Sequence, residues 1–213
     1  MPRWLQLGGP LFESNYRIGE MRTGKMAKKL YIYDKSSSLD KKQAAGRFDG
    51  VSDVVTVPAA SIVELKSSLD QMAGLVKFDR AVFQTHGSPG TIYFKDDALT
   101  SYRLLTEFAG RGYTSLFAAG SRLYFDGCNV GEGEAGEKFL AAAGKIFLAA
   151  GGEAFAWETL GVAIPGWLPG WLSGGHTIHL GPLKKLRFDN SGNVIPAPIP
   201  PLAMSIDDFR GRE

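Results

Sequence analysis

The chain is expected to fold as an α/β domain built on a mostly parallel sheet. Three observations predict this. Short β-rich runs alternate with helix-patterned segments along its middle. The central runs are almost continuously apolar, as strands covered on both faces should be. The chain has 213 residues and is 44% hydrophobic, enough for one domain with a full core.

The elements follow in order. Residues 1–27 carry Gly, Pro and scattered charge with weak periodicity and read as an N-terminal arm. "KLYIYD" (29–34) is the first strand, and "VSDVVTV" (51–57) the second. "SIVELKSSLDQMAGLV" (61–76) places Ile62, Leu65, Leu69, Met72 and Leu75 three and four apart, the stripe of an amphipathic helix with Ser61 as its N-cap. "DRAVFQTH" (79–86) is a third strand. "GTIYF" is a short strand after a Ser-Pro-Gly turn, and "SYRLLTEFAGRGY" (101–113) is helical. "SRLYFDGC" (121–128) is a fourth strand, "GEAGEKFLAAAGK" (133–145) a helix, and "IFLAAGG" (146–152) a fifth strand.

Beyond residue 160 the character changes. "VAIPGWLPGWLSGG" (162–175) is too rich in Pro, Gly and Trp for a regular helix. "HTIHLGPLKKLRFDNSGNVI" (176–195) reads as strands around a "DNSGN" turn. The division is an arm (1–27), an α/β domain (28–195) and a Pro-rich tail (196–213).

Composition narrows the function classes. Net charge is +2 and the signs are interspersed, so no nucleic-acid partner is expected. One cysteine, Cys128, excludes an internal disulfide and a Cys-rich zinc site. His176 and His179, three apart in an expected strand, point to opposite faces and share no metal, and no cofactor is expected. No run of about 18 apolar residues suggests a membrane span, and no signal-peptide pattern opens the chain. A cytoplasmic setting is the default expectation, with secretion by a non-classical route left open. "GEGEAG" (131–136) lacks the Gly-Lys-Ser/Thr ending of a phosphate loop and carries two glutamates that repel phosphate.

In open α/β sheets, ligands sit beyond the carboxyl ends of the strands. Two strands end there in capable chemistry: the third in His86-Gly87, the fourth in Asp126-Gly127-Cys128. If they are parallel neighbours, imidazole and thiol emerge at one edge. His86 could take the proton of Cys128, and the amides of Gly87 and Cys128 could hold an oxyanion. A structural histidine and a buried thiol are the plain alternatives. Trp157 and Trp167 could line a substrate groove, and the 162–175 loop could meet a protein partner or a membrane surface. Core packing is the alternative, favoured for Trp157.

"AVFQTHG" and "RLYFDGCNVGEG" together resemble the caspase-like cysteine peptidases, in which an apolar strand ends in His-Gly and a later one in Asp/Ala-x-Cys. That superfamily includes caspases, metacaspases, legumains and bacterial CHAT domains. The resemblance covers about residues 28–160 and implies a caspase-like three-layer α/β/α fold, to which the strands read over 176–195 add a C-terminal hairpin extension. It implies Cys128 as nucleophile, His86 as its acid–base partner, and a peptide or protein as substrate. It also implies Asp126 as the carboxylate that holds a basic P1 side chain. Two other readings stand beside it. One is a non-catalytic interaction module on the same fold. The other is a Cys-nucleophile α/β-hydrolase ordered Cys128, acid, then His176 or His179, which the missing Gly at positions 126 and 130 disfavours.

Overall fold

A computed structural model describes residues 28–37, 53–95, 97–163, 177–179 and 181–196. The 1–27 arm, the tail beyond Pro196, Trp167 and most of the 162–175 loop lie outside the described residues.

Five parallel strands form the centre. They are β1 (Lys28–Asp34), β2 (Val54–Ala59), β3 (Phe78–Gln84), β7 (Phe117–Asp126) and β8 (Gly152–Trp157). They lie in the order β8-β7-β3-β1-β2. Two antiparallel strands, β11 (Leu183–Phe188) and β12 (Val194–Ile195), extend the sheet from β8 to seven strands. The chain is therefore α/β with a mostly parallel central sheet, as its pattern predicts.

Alternation along β1 explains its two-sided burial. Leu30 and Ile32 join Ala81, Phe83, Leu123, Phe125, Ala154 and Ala156 in the main core. Tyr31 faces the other way with Val82, against Tyr33, Val54 and Tyr124. The main core is roofed by helices α1 (Ile62–Met72) and α3 (Gly133–Phe147), through Ile62, Leu65 and Leu69 of the one and Phe139, Leu140 and Phe147 of the other.

Helix α1 starts where expected. The Ser61 hydroxyl accepts from the Glu64 amide at 3.2 Å, and the Glu64 carboxylate accepts from the Ala60 amide at 2.8 Å. It ends earlier than expected. Gly74 has φ +79, so the chain leaves the helix and Leu75, expected in the buried stripe, is 69% exposed.

Three other expectations shift. The helix expected over 101–113 is one α-turn, α2 (Ser101–Arg103), then a π-helical turn (Leu104–Phe108). Gly110 and Gly112, both at positive φ, break it before a 3₁₀ turn (Tyr113–Leu116). The fifth strand is 152–157, not 146–152. Ile146 and Phe147 continue the buried stripe of α3, and the turn at Gly151 (φ +79) comes only afterwards. A short apolar run does not distinguish these outcomes. Finally, β3 ends at Gln84. His86 opens β4 (His86–Ser88), first strand of a small antiparallel sheet with β5 (Thr91–Phe94) and β6 (Asp97–Thr100).

This small sheet, α1 and the π turn are tied by charge. Arg103 pairs with Asp97 and Glu107, each at 2.5 Å, and Lys66 of α1 reaches Glu107 at 3.0 Å. The Arg103 guanidinium, then the Lys66 ammonium, hold the Glu107 carboxyl down at about 2 against an ordinary 4.5. A carboxylate depressed in the fold stabilises above its unfolded pKa and loses that contribution as pH falls through the folded one. Glu107 is partly exposed, so about 1 kcal/mol is expected rather than the full shift. Urea melts should place Glu107→Gln about 1 kcal/mol below wild type at pH 7, a gap shrinking between pH 5 and pH 2.

The "DNSGN" turn forms as expected. Asp189 Oδ1 accepts from the amides of Ser191 and Asn193 at 2.8 and 2.9 Å, closing the β11–β12 hairpin. Among the described residues no helix is long and apolar enough to cross a membrane.

Candidate functional site

The site is built by strand register. β3 and β7 are hydrogen-bonded parallel neighbours, with Ala81 paired to Leu123 and Gln84 to Asp126. The pairing holds as far as Gln84–Asp126, and His86 and Cys128 each follow two residues beyond. Both segments leave the sheet at its carboxyl edge.

The two loops touch through their glycines. A Cβ on Gly87 would lie 2.8 Å from the Cys128 carbonyl oxygen, and one on Gly127 would lie 3.2 Å from the Gly87 Cα. Only a residue without a side chain permits this approach. On the other side the Cys128 loop is laced to the chain after β8. Asn129 donates its amide to the Thr159 carbonyl at 3.0 Å and Gly131 to the Trp157 carbonyl at 2.7 Å. The loop is thus gripped from both neighbours of β7.

Asn129 takes a left-handed conformation, φ +57, directly after Cys128. Asparagine tolerates this better than most residues. Its side-chain amide donates to Glu132 at 2.6 Å, which steadies the turn into α3.

His86 is exposed, and its ring has no hydrogen-bond partner among the described residues. Cys128 is half-buried. Its Sγ receives the Gly161 amide at 3.2 Å and lies 3.8 Å from the Gly161 carbonyl oxygen. The backbones next to His86 and Cys128 touch, but the sulfur and the His86 ring are not hydrogen-bonded to each other. The Cys128 amide has no acceptor among the described residues, which leaves it free to donate.

Asp126 is 8% exposed and meets a partner that sequence reasoning set against another role. His179 Nε2 lies 3.0 Å from Asp126 Oδ1. The His179 side chain is 1% exposed. Its Nδ1 faces the Thr159 carbonyl at 3.4 Å. Its ring stacks on Trp157, centroids 4.5 Å apart and planes within 3°. Both ring nitrogens thus face acceptor oxygens. Trp157, at the end of β8, is half-buried as the wall of this site rather than a core residue.

His179 arrives on a two-stranded hairpin, β9 (Gly161–Ala163) with β10 (Thr177–His179), in which His179 pairs with Gly161. So one rung of that hairpin touches both Cys128 and Asp126. The hydrolase order does not gain from this. The acid beside His179 precedes Cys128 in the chain, and neither ring nitrogen is turned to the sulfur. Two buried hydroxyls, Thr85 Oγ1 and Thr159 Oγ1, have no hydrogen-bond partner among the described residues. No group of three His, Cys, Asp or Glu suited to a metal ion occurs among the described residues.

No family model matches the chain, and no curated protein matches it.

Proposed function

We propose that the chain is a caspase-like cysteine endopeptidase that uses Cys128 and His86 and favours a basic P1 residue. One observation supports the reading: β3 and β7 are parallel neighbours paired as far as Gln84–Asp126, and the Gly87 and Cys128 backbones that follow touch beyond their carboxyl ends.

The chemistry runs in two steps. The Cys128 sulfur bonds to the scissile carbonyl carbon while His86 takes the thiol proton. The oxyanion is held by the Cys128 and Gly87 amides. The C–N bond then breaks, and the imidazolium gives its proton to the leaving amine. Water, deprotonated by His86, attacks the thioester and releases the acid and the thiol. Asp126, buried beneath the sulfur's strand, offers a carboxylate to an arginine or lysine side chain. Trp157 walls that subsite.

A second reading is a non-catalytic module on the same fold. It is favoured by the engagement of both the Cys128 sulfur and Asp126 by the chain itself. Hydrolysis of fluorogenic peptides with Arg or Lys at P1, compared between wild type and Cys128→Ala, separates the two. Absence of any Cys128-dependent turnover across a broad peptide library, with the site opened as described below, rejects the peptidase.

A further inference from the structure

We infer, resting on the peptidase reading, that the β9–β10 hairpin is a built-in competitor for the site, with His179 standing where a substrate's basic side chain would meet Asp126. Three contacts carry this. The His179 ring fills the space over Asp126, leaving the carboxylate 8% and the imidazole 1% exposed. Its flat face lies on Trp157, as an arginine side chain's would. Its ladder partner Gly161 places a backbone amide 3.2 Å from the Cys128 sulfur. An attacked carbonyl carbon must come within about 3–3.5 Å of that sulfur, so the Gly161 backbone competes for one side of that approach. In this state the hairpin blocks the nucleophile and the specificity carboxylate together.

The hairpin is suited to release. Among the described residues its two strands pair with each other and stand outside the seven-stranded sheet. Two-stranded hairpins are marginal in water without docking, so its hold on the site rests on the Asp126, Trp157 and Cys128 contacts, and its release need not unfold the sheet. Once it lifts, Asp126 is an unpaired buried carboxylate, which favours a cationic side chain in its place. The ligand that opens the site is thus a peptide with a flat or extended cation.

Cys128 is the sole cysteine, so thiol alkylation reads this sulfur alone. Iodoacetamide forms a thioether as iodide leaves and the thiol proton passes to solvent, whatever the peptidase activity. Its rate on the full chain is compared among wild type, His179→Ala and His179→Gln, with thermal melts to confirm folding. The expected result is at least a tenfold faster alkylation in His179→Ala. Rates within twofold of wild type in a folded variant overturn the inference. If neither variant folds, hydrogen exchange on wild type decides. The Gly161 amide should exchange at least tenfold faster than the β7 core amides, and equal protection overturns the hairpin's release. Faster alkylation with no peptide hydrolysis in any protein keeps the competitor and rejects the peptidase. Hydrolysis by wild type as fast as by His179→Ala keeps the peptidase and rejects the competitor.

Discussion

Cys128→Ala is expected to abolish hydrolysis of Arg- and Lys-containing peptides, and His86→Ala to lower kcat by roughly 10³-fold with the melt unchanged. A positioned acid–base group contributes about 10²–10⁴-fold, and the nucleophile is indispensable to a covalent route. His86 is exposed and bonded to no described residue, so its removal leaves no buried group stranded. Asp126→Asn should act differently. It should bring the kcat/KM ratio of Arg over neutral P1 peptides toward one, because a neutral amide no longer pairs with a cation. The comparison belongs in both wild-type and His179→Ala backgrounds, so that a blocked site is not mistaken for missing chemistry. An unchanged kcat in His86→Ala would remove His86 from the mechanism.

The second large effect concerns the packing that holds the Cys128 loop. Gly136→Ala is expected to cost about 3 kcal/mol or more, at the upper end of overpacking penalties. A Cβ there would lie 2.2 Å from the Gly131 carbonyl carbon and 2.3 Å from its oxygen. These are backbone atoms, and Gly131 is itself pressed against β8, with 2.5 Å between its ideal Cβ and the Ala156 carbonyl oxygen. Nothing in this stack can rotate away. Gly144→Ala provides the contrast. Its Cβ would strike the Phe188 ring at 2.0 Å, but a ring on β11 can shift, so about 1–2 kcal/mol is expected. Denaturant midpoints measure both. Gly136→Ala should also change peptide turnover, since α3 and the Cys128 loop must separate, whereas Gly144→Ala should not. Equal losses in the two variants would mean that the loop accommodates a side chain without strain.

What the sequence reveals follows from which interactions are local. Period-two alternation in "KLYIYD" and the 3–4 spacing after Ser61 are local, and β1 and α1 appear within a few residues of expectation. The edge location of His86 and Cys128 follows from strand order and the paired registers, and it too was foreseeable. The boundary at residue 146 was not, because Ile146-Phe147-Leu148 satisfies helix and strand patterns alike. The π turn depends on two glycines and an arginine shared between two carboxylates, a tertiary arrangement. Least legible was the Asp126–His179 pair. The residues are 53 apart, and they meet only because a hairpin outside the main sheet folds back over it. "HTIH" carries a strand signal, but nothing local says which ring faces an acid.

The ends of the large sheet have a consequence for how copies of this chain meet one another. Among the described residues the sheet stops on one side at β12, two residues long. On the other it stops at β2, whose Pro58 lacks an N–H to donate. Cross-β stacking needs a long run of free amides and carbonyls in register. Among the described residues β12 is too short to supply one, and Pro58 interrupts the run along β2, which disfavours edge-to-edge pairing between copies.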